Sequence, residues 1–64
     1  MIQKFKTKRD RNGNTYTLVI DHSKQGYARN YNPWDTSEYI EIGKRDREKM
    51  IAQLEEAGYT AGLM

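Results

Sequence analysis

From Lys4 to Asp21 the chain alternates its apolar side chains instead of clustering them: "KFKTKRDRNGNTYTLVID". Phe5, Leu18 and Ile20 recur at period two, the spacing of strands that bury one face. Asn12-Gly13 sits between the two runs. Both residues tolerate positive φ, so the pair predicts a hairpin closed by a type I′ turn. With those two as the loop, Phe5 faces Ile20, Thr7 faces Leu18 and Arg9 faces Tyr16. Lys4, Lys6 and Lys8 then project from the opposite face, beside Thr15, Thr17 and Val19.

"DHSKQG" reads as a loop or bulge, and "YARNY" alternates again at 27, 29 and 31, which predicts a third strand. Pro33 lacks a ladder donor and pre-sets φ, so residues 32–35 read as a turn. "EYIEI" returns to period two, with Ile40 and Ile42 on one side and Tyr39 on the other. The period then changes. Met50, Ile51, Leu54 and Ala57 form one stripe at helical spacing. Gly43 is the expected N-cap, with Asp46 placed to face the free amides of the first turn. Gly58 is the expected residue after the C-cap, with Tyr59 folding back onto Leu54.

The expected architecture is α+β: a small antiparallel sheet of three or four strands, with one C-terminal helix packed on one face. Phe5, Leu18, Ile20, Ile40 and Ile42 are the expected partners of the helix stripe, with Leu63 of the tail folding back. All 64 residues form a single domain, 1–64, read as a complete small gene product.

Composition narrows the picture. Hydrophobic residues make up 36% of the chain, enough for a core of about ten to twelve side chains. With no cysteine a disulfide scaffold is excluded, and the reading is a cytoplasmic protein. No stretch approaches the ~20 apolar residues of a membrane span, so no membrane association is expected. His22 is the only histidine, which leaves no ligand set for a metal site, and no cofactor fingerprint is present.

Asp21-His22-Ser23 has the residue types of a hydrolytic triad. Neighbours on a strand point to opposite faces, so three in a row cannot form the relay. A helix laid on so small a sheet leaves hardly any pocket for acid–base chemistry. The reading is therefore non-enzymatic.

Charge and aromatic placement point to binding. Residues 1–32 carry seven Lys/Arg against two Asp, and residues 33–64 carry four against seven Asp/Glu. Four of the seven aromatic residues, Tyr27, Tyr31, Trp34 and Tyr39, fall in the short segment 26–39. If Tyr27, Arg29 and Tyr31 share the face of Lys4, Lys6 and Lys8, they form a basic platform. Bases stack on such rings while the lysines meet phosphates. If Tyr27 and Tyr31 point inward, they supply core bulk instead. The charged run Lys44–Lys49 reads as a solvated helix face.

The expected function is binding of single-stranded DNA or RNA through Lys4, Lys6, Lys8, Tyr27, Arg29, Tyr31, Trp34 and Tyr39. Two other readings use segment 27–39. One is a protein-binding adaptor or small inhibitor, of the kind found among bacterial or phage accessory proteins. The other is self-association as a homodimer, since Tyr, Trp and Arg are also the residues enriched at protein interfaces. A sheet followed by one helix recurs among small nucleic-acid-binding folds, but no diagnostic motif of any appears, so this is analogy of fold alone.

Overall fold

A computed structural model describes residues 1–62; the expectation for Leu63 lies outside the described residues. The first hairpin forms as its alternation predicts, from β1 (Ile2–Lys6) and β2 (Tyr16–Asp21). Its register differs from expectation: Phe5 pairs with Leu18 and Lys6 with Thr17, not Phe5 with Ile20. The turn explains the shift. Gly13 has φ +81° but Asn12 is not at positive φ, so the turn is not type I′, which requires both. Instead Asp10 Oδ1 accepts from the amides of Asn12 and Asn14, both at 2.9 Å. The Gly13 amide donates to Asp10 O at 3.0 Å, and Asp10 N–H bonds Asn14 O at 2.9 Å. This is a three-residue loop closed by an Asp. A register shift of two residues keeps each side chain of β1 and β2 on its expected face, so the expected core residues still meet.

A β-carbon at Gly13 would meet no atom within 4 Å, so substitution there tests backbone strain alone. Gly13→Val should lower stability by about 1–3 kcal/mol, read as a drop in the urea midpoint; an unchanged midpoint would contradict this turn geometry.

β3 (Gly26–Tyr31) pairs antiparallel with β2, setting Ile20 against Tyr27, Leu18 against Arg29 and Tyr16 against Tyr31. Two strands of two residues each complete the sheet: β4 (Ile40–Glu41) and β5 (Thr60–Ala61). The order is β4-β1-β2-β3-β5. Both short strands run parallel to their neighbours, β4 to β1 and β5 to β3. The α+β class therefore holds, but the sheet is mixed and five-stranded. The helix α1 (Lys44–Glu56) carries the chain from one edge of the sheet to the other.

Helix packing follows the stripe with two corrections. Phe5, Leu18, Ile20, Tyr27, Ile51 and Leu54 form the buried core, with Ile42, Met50 and Tyr59 packed against it. Ile40 is 62% exposed, because β4 lies at the sheet edge beyond the strands that α1 covers. Ala57 is exposed as well. The helix ends as expected. The Tyr59 amide donates to Leu54 O at 2.9 Å and Gly58 N–H to Glu55 O at 3.1 Å, with Gly58 at φ +89°. That double bond pattern is a Schellman ending. Gly43 is the N-cap, in extended backbone and without a side-chain cap bond, and Asp46 lies in the first turn.

Arg47 is the larger surprise in the helix. It is buried, which corrects the expectation of a wholly solvated face at 44–49. It occupies the stripe position one turn before Ile51. Its Nε and Nη2 donate to Thr17 O at 3.2 and 3.1 Å, and Nη1 pairs with Glu48 at 2.5 Å. Its guanidinium carbon lies 5.5 Å from the Tyr16 ring centroid. A charge is tolerated there because its donors have acceptors and its plane has a ring.

Candidate nucleic-acid interface

The expected platform residues do not share one face. Tyr27 pairs with Ile20 and is buried in the core. Alternation along β3 puts Arg29 and Tyr31 on that same helix-bearing side. The Tyr27 hydroxyl donates to Glu55 Oε2 at 3.2 Å. Burial, reinforced by the charge and the acceptor of Glu55, pushes the Tyr27 pKa upward. Tyr27 is thus removed from the candidate interface. Tyr31, 56% exposed, packs edge-on against Tyr16 at 5.2 Å between centroids, and Arg29 is exposed.

The lysine row is also rearranged. Thr7 pairs with Tyr16, the Thr7 N–H donating to Tyr16 O at 2.9 Å, while Asp10 pairs with Asn14. Between those pairs the first strand carries Lys8 and Arg9 against Thr15 alone. One extra residue on one side is the arrangement of a bulge, which re-aims the side chains beyond it. Lys8 consequently lines a cleft with Thr7, Tyr16 and Lys44, on the side of the helix. Arg9 takes its place on the outer face, in a groove of about 400 Å³ shared with Gly13, Thr15, Asn32, Pro33, Trp34 and Thr36. The Arg9 Nη1 donates to Gly13 O at 3.3 Å, which holds the guanidinium at the hairpin tip.

Trp34 is fully exposed at the wall of this groove. Its backbone is held by turns on either side. Asn32 Oδ1 accepts from Thr15 N–H at 2.7 Å, and the Asn32 amide donates to Thr15 O, also at 2.7 Å. Asn32 itself has φ +49°. Beyond Trp34, Asp35 Oδ1 accepts from Ser37 N–H at 3.0 Å. That backbone bond, with a second from the Ser37 side chain, holds the Asp35 carboxyl below the usual carboxylate range.

Residues 32–39 must pass β2 and β1 to reach β4 on the far edge. They cross on the outer face, because they meet Lys4 there. Lys4 Nζ lies 3.6 Å from Glu38 Oε2 and 5.9 Å from the Tyr39 ring centroid. Under the crossing, Thr17 and Val19 are buried, although the alternation expected them to line an open platform. Lys6, partly exposed, sits between Lys4 and the hairpin tip and has no ion pair among the described residues.

Asp21, His22 and Ser23 go separate ways. Asp21 Oδ1 accepts from the amides of Ser23 and Lys24, and Ser23 Oγ accepts from the terminal amine of Met1 at 3.2 Å. His22 bridges the Tyr59 hydroxyl at 2.8 Å and Gln3 Oε1 at 2.6 Å. The Gln3 oxygen only accepts, so Nε2 is the donor in that bond. The histidine ties β1 and the turn after α1 to the end of β2, a structural clamp. Among the described residues no three His, Asp or Glu side chains gather as a metal site, and no helix is long and apolar enough to cross a membrane.

What the structure brings together is Lys4, Lys6, Arg9 and Trp34 along the outer face and tip, with Tyr39 over Lys4. What the sequence reading missed is Arg9, with Arg11 exposed beside it at the tip. The signal was the Asp10 side chain, whose turn replaces the one read from Asn-Gly and so re-aims Arg9. Compared with known protein families, curated proteins and solved structures, the chain matches none.

Proposed function

We propose that this chain is a non-enzymatic module that binds single-stranded nucleic acid along its outer sheet face and hairpin tip. The observation that carries the reading is Trp34, fully exposed at the wall of a groove that also holds the Arg9 guanidinium. An indole with no packing role is available to stack on a base. Such stacking needs no particular base, because every base has a π-face. Arg9, Arg11 and Lys6 supply cations for the phosphates on either side of it. The groove is polar and open to water on one side, which suits a flexible strand better than a substrate awaiting chemistry. The acid-rich second half of the helix, with Glu55 and Glu56 exposed, argues against its use as a reading helix in duplex DNA.

The test is a salt series with a labelled oligonucleotide. Single-strand affinity falls with salt in proportion to the phosphates neutralised, by about 0.7 in logarithmic slope per contact. Arg9→Gln and Lys6→Gln should each weaken binding and flatten that slope by about one contact. Lys8→Gln should do neither. If the parent shows no salt-sensitive binding, and instead forms a stoichiometric complex with a protein through Trp34, the module is a protein adaptor.

A further inference from the structure

We infer that segment 35–39 is an acidic strap that competes with phosphate for Lys4, so that the outer face is partly self-occluded and opens on binding. This rests on the nucleic-acid reading and concerns how that site is regulated. The strap is tied at its ends. Asn32 is bonded to Thr15 at the start, and the Ile42 amide donates to Lys6 O at 2.8 Å at the finish. Between those ties, the polar contacts of the segment among the described residues are its own turn bonds and the Lys4–Glu38 pair. Glu38 is 81% exposed in that pair. An exposed ion pair contributes little, so a phosphate can take its place at small cost.

The sheet beneath holds an unsatisfied polar group. The Thr17 hydroxyl is buried there with no hydrogen-bond partner among the described residues. Opening the strap returns that hydroxyl to water, which offsets part of the exposure of Val19. Asp35 and Glu38 bring negative charge to the face, as a bound backbone would. Lys4, Lys6 and Arg9 lie in one row on that face, and among the described residues Lys4 alone of the three is ion-paired. When the strap lifts, the cationic row lengthens by one position and the Tyr39 ring leaves the ammonium.

Glu38→Gln tests this with the same labelled oligonucleotide. The variant should bind several-fold tighter than the parent, with a salt slope steeper by up to about 0.7, because Lys4 then meets phosphate without first giving up a carboxylate. Glu56→Gln, which removes the same charge from the helix, controls for net charge and should leave the slope unchanged. Lys4→Gln should matter little in the parent and should abolish the gain in the Glu38→Gln background. That non-additivity is specific to the latch. Should the parent bind while Glu38→Gln gives no gain, or a gain that survives Lys4→Gln, the strap inference is overturned and the binding reading stands. Binding by neither parent nor variant overturns both.

Discussion

Leu18→Ala should leave the chain largely unable to hold its fold. Leu18 is fully buried in the central strand and belongs to the cluster with Phe5, Ile20, Tyr27, Ile51 and Leu54. Truncating a buried leucine costs about 2–5 kcal/mol, the transfer term plus the cavity left behind. A domain of this size has only roughly 3–10 kcal/mol in total. The expected result is a urea transition displaced to the foot of the titration, with loss of helical signal at ordinary temperature. Ile40→Ala is the matched contrast. That side chain lies mostly in water at the sheet edge, so its removal should shift stability by less than about 0.5 kcal/mol. Equal effects from the two substitutions would mean that the helix does not cover β1 to β3 as described.

Trp34→Ala should have the largest effect on binding and nearly none on folding. The ring makes no contribution to the core, so the melting transition should stay where it is. Loss of one stacked base costs about 1–3 kcal/mol, roughly 5- to 150-fold in affinity. The loss should be the same at every salt concentration, because no phosphate contact is removed, and Trp34→Phe should restore part of it. A Trp34→Ala variant that unfolds would show the ring to be structural. One that binds as well as the parent would move the interface elsewhere.

These contrasts also show where the sequence was informative. The helix was legible to its last residue, because Gly58 and Tyr59 make the two backbone bonds that end it. The hairpin was legible as a hairpin, but its register was not. Asn12-Gly13 invites one turn, and the Asp10 carboxylate, accepting two amides, stabilises another. The fourth strand was legible from the alternation of "EYIEI", though only Ile40–Glu41 form it. β5 has two residues, too few to carry a period, so the fifth strand and the parallel pairings were out of reach. Alternation correctly grouped Tyr27, Arg29 and Tyr31 on one face. It could not say which face, since that depends on how β3 meets α1. Arg47 was hidden for a different reason: a cation in a helical stripe looks like the stripe's end until a carbonyl and a ring are found beside it.

The candidate site followed the same division. Trp34 was picked out as one of the aromatics crowded into residues 26–39, and the structure leaves it bare. Lys8 was placed in a row by strict alternation, and the bulge at Lys8 and Arg9 moved it out of the row. Local rules fail where one residue is inserted, and here the insertion puts Arg9 beside Trp34.

The central claim is that Trp34 stacks on a base of a single strand held by the cations beside it. Trp34 is the chain's only tryptophan, so its own fluorescence reports on it without a label. Titrating an unlabelled single-stranded oligonucleotide at low salt should quench that emission to saturation, and added salt should restore it in step with dissociation. Emission that stays unchanged while an independent measure shows the oligonucleotide bound would contradict the account, as would the absence of any binding under those conditions.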